Sequence, residues 1–314
     1  MTPPTLLAVP NASEGRDAHT IAALSDAFAG TGAGGARLLD VHSDRDHHRS
    51  VFTLAAAPAA LADALVRGAR VAVERIDVMA RAARRTEQAG PEPPGQHPHV
   101  GALDVVPFVY LDEADRGAAC AAALLTGDRI GEELAVPVFV YGELSGEDPA
   151  SRRTRAQLRR GGVQGLAARI AAGEDGLAPD FGPPRMHPSA GATLLAARPP
   201  LVAFNLQLAP PATVADARRV AALIREGGEH GLPGVRAIGI ALEREVAQVS
   251  INVERPFELP LAAILAAVQA RAHVASAELV GLAPAAALEG FPQEIPLAGF
   301  DPARHVIENA LGSS

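Results

Sequence analysis

"ARLLDVHSDRDHHRSVFTLAA", residues 36–56, decides the fold class. Two strand-like runs, 36–42 and 50–56, follow one another with only a polar stretch between them. A doubly wound parallel sheet requires a helix between successive strands, so this stretch excludes it and points to a mixed sheet.

The segments on either side supply the helices. "TLLAV" (5–9) reads as a strand closed by Pro10. The helix that follows carries Ile21, Leu24 and Phe28 at helical spacing and stops at Gly30. Pro58 opens a second helix with Leu61, Leu65 and Val73 on one face. A strand at 102–111, a helix from 113 and a strand at 136–142 come next.

Beyond the Pro/Gly-rich segment 171–191 the same alphabet recurs. "ATLLAARPPLVAFNLQLA" gives two strands and "TVADARRVAALIREG" a helix. "VRAIGIALEREVAQVSINVE" gives a strand pair and "LPLAAILAAVQARAHVA" a helix. The expectation is an α+β chain of two subdomains, 1–177 and 178–314, each a mixed β-sheet with helices packed on one face. Residues 79–95 begin helix-like and end in an exposed loop. The Pro/Gly-punctuated tail after residue 290 is expected to pack loosely.

A net charge of −8 argues against a general nucleic-acid binder, which needs a basic face. The single cysteine, Cys120, excludes a disulfide or a thiolate metal site within one chain, and its plain reading is a small buried side chain. The N-terminus has no basic n-region, and no apolar run approaches the ~18 residues of a membrane span. A soluble cytoplasmic protein with no membrane or nucleic-acid partner is expected.

Four polar motifs each carry two readings. Asn11, Ser13 and Glu14 in "VPNASEGRD" either cap the first helix or present donors to an anion. Asp40, His42, Asp44, Asp46, His47 and His48 form a solvated loop, a ligand-facing loop, or a zinc or manganese site. Arg152, Arg155 and Arg159 of "RRTRAQLRR" fall on one helix face, either solvated or forming a carboxylate clamp. In "PPGQHPHVGALD" (93–104), His97 and His99 flank Pro98, and either one transfers protons or merely ends a loop. No GxSxG, Walker A or Rossmann fingerprint occurs.

Nine motifs in series then carry a resemblance. "VPNASEGRD", "DHHRSVFTL", "HPHVGALDVVPFV", "IGEELAVPVFVYGE", "APDFGPP", "HPSAGATLLAARPPLVAFNLQL", "GLPGVRAIGIAL", "AQVSINV" and "ELVGLAP" span about residues 5–288. Their order resembles the glutamate formimidoyltransferase family. The resemblance implies a ligand cleft between two α+β subdomains and a homodimer. The implied reaction moves a formimino group from N-formimino-L-glutamate to N5 of tetrahydrofolate in histidine degradation, with no metal.

The resemblance assigns the catalytic role to His97 as general acid and base. It places folate on Gly182-Pro183-Pro184-Arg185-Met186-His187-Pro188-Ser189-Ala190-Gly191. Substrate contacts are expected from Asn11, Ser13, Glu14, His42, Arg49, Asp104 and Arg159. The chain departs from the family pattern at His42, His48, Gln96, His99 and Ala190. Those departures leave two alternatives: a non-catalytic or repurposed folate-binding relative, or a transferase using another formimino or formyl donor.

Overall fold

The computed structural model describes residues 3–30, 35–87, 98–148, 150–242 and 246–312. They divide into two compact units at Pro199/Pro200.

In the first unit, β1 (Leu6–Ala8) and β2 (Asn11–Ala12) are two pieces of one strand line interrupted at Pro10. Backbone bonds bridge the gap: the Val9 N–H donates to Pro107 O and the Phe52 N–H to Pro10 O, each at 3.0 Å. After α1 (Ala18–Ala29), the stretch 36–56 forms the antiparallel hairpin β3 (Arg37–Asp44) and β4 (Arg49–Ala56). Then come α2 (Pro58–Arg75), α3 (Val78–Glu87) and β5 (Leu103–Val109).

The β1/β2 line lies between β4 and β5, antiparallel to both. The β3 strand therefore runs parallel to β1 with β4 between them, a split β-α-β arrangement of βαββαβ order. After α4 (Arg116–Leu134), the strands β6 (Val138–Val140) and β7 (Thr193–Arg198) extend the seven-stranded sheet, with β7 parallel to both β5 and β6. The short helices α5 (Arg155–Leu158) and α6 (Gly162–Ala171) fall between β6 and β7. The expected divider, 171–191, joins α6 to β7, and residues 178–199 group with the first unit.

The core lies between the sheet and α1, α2 and α4. Leu24, Phe28, Phe52, Leu54, Leu61 and Leu65 are fully enclosed there, and the Phe28 and Phe52 rings lie 4.9 Å apart, tilted. A smaller cluster on the opposite face packs Leu158 and Leu166 from α5 and α6 against Val105, Phe139 and Leu194.

The second unit repeats the order. It runs β8 (Val202–Leu208), α7 (Val214–Ile224), β9 (Val235–Ala241), β10 (Ala247–Val253), α8 (Leu261–Gln269) and β11 (Val274–Val280). The sheet order β12-β11-β8-β10-β9 matches that of the first unit, with β12 (Leu297–Ala298) added in parallel beside β11. A reciprocal capping box between Thr213 and Asp216 starts α7.

Two sequence expectations are corrected. The helix expected through residue 275 ends at Gln269, where the Arg271 guanidinium donates to Ala267 O at 2.6 Å, and β11 begins at Val274. The tail after 290 is packed. Beyond β12 it forms α9 (Pro302–His305) and α10 (Ile307–Gly312), and Val306, Ile307 and Ala310 are buried. The Ile307 N–H donates to Ala283 O at 2.9 Å, which ties the tail to the unit.

Candidate functional site

Among the expected site residues of the first unit, Ser13, Arg159, Ala190 and Gly191 meet one short segment, Val100–Asp104, where β5 begins. The β2–α1 turn reaches it first. The Ser13 hydroxyl donates to Gly101 O at 2.7 Å, and the Ser13 N–H donates to Ala102 O at 2.9 Å. Ser13 therefore braces β5, while Asp17 caps α1 by accepting from the His19 N–H at 3.1 Å. The capping reading for Asn11 or Ser13 is thus replaced. Asn11 is also buried, and its amide donates to Val9 O at 2.9 Å.

Glu14 is held from several sides. Its Oε1 accepts from the Arg16 and Asp17 N–H groups at 2.9 and 3.1 Å, and Oε2 lies 3.2 Å from the Arg81 guanidinium. Burial alone would raise the carboxyl pKa. The two N–H donors and the charge of Arg81 outweigh it and hold Glu14 below the usual carboxylate range. Arg81 also donates to Ser13 O at 2.6 Å. It lies in the segment expected to turn into a loop, and nothing local in the sequence marks it as a partner of residues 67 and 68 positions away.

The Gly-rich loop meets the same segment from the other side. The Ala102 N–H donates to Ala190 O at 2.8 Å, and the Ala192 N–H donates to Val100 O at 2.9 Å. Gly101 and Gly191 form an antiparallel bridge so close that a Cβ on Gly101 would lie 1.8 Å from Ala192 O. The His187 Nδ1 accepts from the Ala190 and Ser189 N–H groups at 3.0 and 3.3 Å. Burial keeps His187 below its ordinary pKa, which suits a neutral acceptor. Within 182–191 the expected ligand contacts separate: Gly182, Pro184, Arg185 and Pro188 are exposed, whereas Ala190 and Gly191 are buried and act through their backbone.

Charge is concentrated beside Asp104. The pairing of β2 with β5 shifts register here, from Asn11 opposite Val105 to Ala12 opposite Leu103, leaving Asp104 as the extra residue. Asp104 is 1% exposed. Its Oδ1 accepts from the Val100 N–H at 2.8 Å, and its Oδ2 pairs with the buried Arg159 guanidinium.

Arg49 opens β4 opposite Asp44. Burial, then the neighbouring charge of Arg159, bring the Arg49 guanidinium down to about 10, with Asp104 opposing. Arg155 adds to the positive side and Asp44 to the negative. Three guanidinium groups thus face two carboxylates, and the Arg159 Nε has no hydrogen-bond partner among the described residues. An anionic group fits that surplus.

The expected arginine helix is corrected. α5 is a single turn, and Arg152 precedes it, donating to Gly146 O and Glu147 O at 2.9 and 3.0 Å. Arg153 pairs with Asp180 and Arg160 with Glu174, so only Arg155 and Arg159 reach the charge cluster.

The 40–48 motif is a hairpin end. Asp44 Oδ1 accepts from the Asp46 and His47 N–H groups at 2.7 and 2.9 Å, closing the turn. His48 sits at φ +50°, a backbone conformation that asparagine, aspartate and histidine tolerate better than other side chains. Its Nδ1 accepts from the Gly15 N–H at 3.1 Å, which joins the hairpin to the β2–α1 turn. Asp40, His42 and Asp44 alternate on β3. His42 lies opposite Val51, itself opposite Asn11, on the sheet face turned away from α1, α2 and α4. Among the described residues no group of three or more His, Cys, Asp or Glu side chains is placed to hold a metal ion. His97 and Gln96 lie outside the described residues, as does the rest of the expected 79–95 loop after Glu87.

Comparison with known proteins adds three kinds of relative. Residues 5–198 match the model of the formiminotransferase domain, N-terminal subdomain. The chain is 33% identical over 315 residues to the glutamate formimidoyltransferase of Streptococcus pyogenes, covering 96% of this chain and 97% of that protein. It is 32% identical to the glutamate formimidoyltransferase of Thermoplasma acidophilum, covering 93% of each. The formimidoyltransferase-cyclodeaminase of Gallus gallus is 36% identical over 291 residues, covering 89% of this chain and 50% of that protein. The chain thus spans about half the length of that cyclodeaminase relative.

Proposed function

The chain belongs to the formiminotransferase domain family, and from that membership we propose that it transfers the formimino group of N-formimino-L-glutamate to N5 of tetrahydrofolate. The observation that supports this reading is the convergence on Val100–Asp104. A segment braced by Ser13, the 182–191 loop and the Asp104–Arg159 pair begins three positions after His97 in the sequence.

The chemistry requires one proton to travel. A secondary amine attacks an amidine carbon, the C–N bond to glutamate breaks, and free glutamate leaves with the proton that N5 gives up. In this reading His97 accepts the proton from N5 and returns it to the departing nitrogen, a task suited to an imidazole near neutrality. Pro98 fixes the backbone immediately after it. Arg49 and Arg159 hold a ligand carboxylate, and Asn11, Ser13, Glu14, His42 and Asp104 form the wall around it. Folate lies along the exposed part of 182–191. A cytoplasmic homodimer acting on these two small molecules is part of the same proposal.

His42 and His48, which stand where the resemblance implies an aspartate and an asparagine, favour one second reading: the same transfer from a different formimino donor. Following 5-formimino-tetrahydrofolate formation from formiminoglutamate tests both. Turnover is expected. Folate binding without turnover of that donor, followed by turnover of another, replaces the first reading with the second.

A further inference from the structure

α3 links two segments of the candidate site, the β2–α1 turn and the 182–191 loop. Asp77 caps the helix, accepting from the Ala80 N–H at 2.8 Å. The first N–H groups of a helix have no partner within it, and here two of them share one carbonyl. The Val78 and Met79 N–H groups donate to Ser189 O at 3.0 and 3.3 Å. Further along α3, Arg81 reaches the β2–α1 turn, donating to Ser13 O at 2.6 Å and to Glu14 Oε2 at 3.2 Å. Val78 is fully enclosed, and Met79 and Ala82 pack against the same core.

These bonds close a ring. Ser13 donates to Gly101 O and Ala102 O, and the Ala102 N–H donates to Ala190 O, next to Ser189. α3 completes the circuit from Ser189 back to Ser13. In the chain α3 precedes His97 and Gly101 follows it, so the two flanking elements are fastened to one turn.

A charge partner for Glu14 would need one contact, and Arg81 makes two, to the carboxylate and to the backbone carbonyl one residue before it. A planar guanidinium holds both at fixed angles, which sets the orientation of the turn as well as its charge. The link from α3 to Ser189 is made by backbone, whereas the link to Ser13 and Glu14 depends on this side chain.

We propose that Arg81 is a positioning residue for the transfer, closing the ring that sets the Ser13–Glu14 turn against the segment Val100–Asp104. It acts through Ser13 and Glu14 and not on the substrate, and the proposal rests on the formimino-transfer reading above. Proton transfer tolerates misplacement poorly, at about 10²-fold in rate for a shift of about 1 Å. A ligand carboxylate on Arg49 and Arg159 keeps its grip when the ring opens. The loss therefore falls on kcat and leaves KM in place.

The test uses the full chain as wild type, Arg81→Met and Arg81→Lys, with formiminoglutamate as donor and tetrahydrofolate as acceptor. Calorimetric titration with tetrahydrofolate counts the folded sites, and kcat is expressed per site. Methionine removes the guanidinium fork, and lysine keeps the charge without the fork's fixed angles. The expected result is a kcat about 10- to 100-fold lower in Arg81→Met and a smaller loss in Arg81→Lys. KM for the donor and Kd for tetrahydrofolate should stay within about threefold of wild type in both. A lowered Tm with wild-type kcat per site marks a merely structural ion pair and overturns the proposal. So does a raised KM with kcat unchanged, which makes Arg81 a substrate contact. If Arg81→Met does not fold, Arg81→Lys decides: kcat reduced at least about threefold with KM unchanged supports the proposal, and wild-type kcat overturns it. All of these outcomes leave the transfer reading standing. Wild-type protein that turns over no formiminoglutamate defeats that reading, and the role of Arg81 falls with it.

Discussion

The two units share an order of elements and a strand order, yet they use the sheet face turned away from the long helices differently. In the first unit that face carries charge: Asp40, His42 and Asp44 on β3, Arg49 on β4, and the Asp104–Arg159 pair at the start of β5. In the second it carries mostly amides and hydroxyls, among them Asn205, Gln207, Gln248, Ser250 and Ser276, with Glu278 bonded to Asn205. One topology therefore supports two chemistries. What separates them is a few residues at alternating strand positions, which the period of two leaves free to vary without touching the core.

Removing one polar partner from each unit sharpens that contrast most. Asp104→Ala leaves the buried Arg159 guanidinium without its carboxylate, and chemical denaturation is expected to show a loss of about 3–5 kcal/mol. Asn205→Ala in the second unit deletes a hydrogen bond to an accessible carboxylate and is expected to cost about 1 kcal/mol. Equal losses would remove the distinction.

The next largest effect comes from two glycines. A Cβ on Gly101 meets Ala192 O at 1.8 Å, and one on Gly239 meets the Arg218 backbone nitrogen of α7 at 2.1 Å. Each alanine substitution is expected to cost about 3 kcal/mol by overpacking. Only Gly101→Ala should also abolish turnover in the protein that remains folded, because only it disturbs the segment after His97.

The smallest effect is a pH response. A histidine whose folded pKa lies below its ordinary value of 6.5 contributes stability that is complete above that value and is lost as the pH falls through the folded pKa. Protonation takes away the Nδ1 acceptor of the Ala190 and Ser189 amides. Their hydrogen exchange, corrected for intrinsic rates, should accelerate as the pH falls below the ordinary 6.5 of a histidine and through the lowered pKa of His187. An unchanged rate in the 182–191 loop would show that His187 does not hold it.

The hairpin 36–56 was legible because its period is local, and so were α1, α2 and α7. The two-residue strand β2 was not, since Pro10 interrupts the line it continues and its partners are 38 or more residues away. The strand β11 was hidden by its alanine- and serine-rich start, which extends a helical pattern. The arginine motif misled for a different reason. Spacing placed Arg152, Arg155 and Arg159 on one helix, but each finds its partner through the fold: Gly146 and Glu147 for Arg152, the Tyr141 ring 6.0 Å away for Arg155, and Asp104, 55 positions upstream, for Arg159. Charge signs can be read from a sequence, but the distant group that neutralises a charge cannot.

The central claim is that the braced segment Val100–Asp104 presents His97 for proton transfer, and one variant tests it directly. His97→Ala, shown by thermal melting to be folded, should retain tetrahydrofolate affinity within about threefold while kcat for 5-formimino-tetrahydrofolate formation falls about 10²- to 10⁴-fold. Wild-type turnover in His97→Ala would contradict the account.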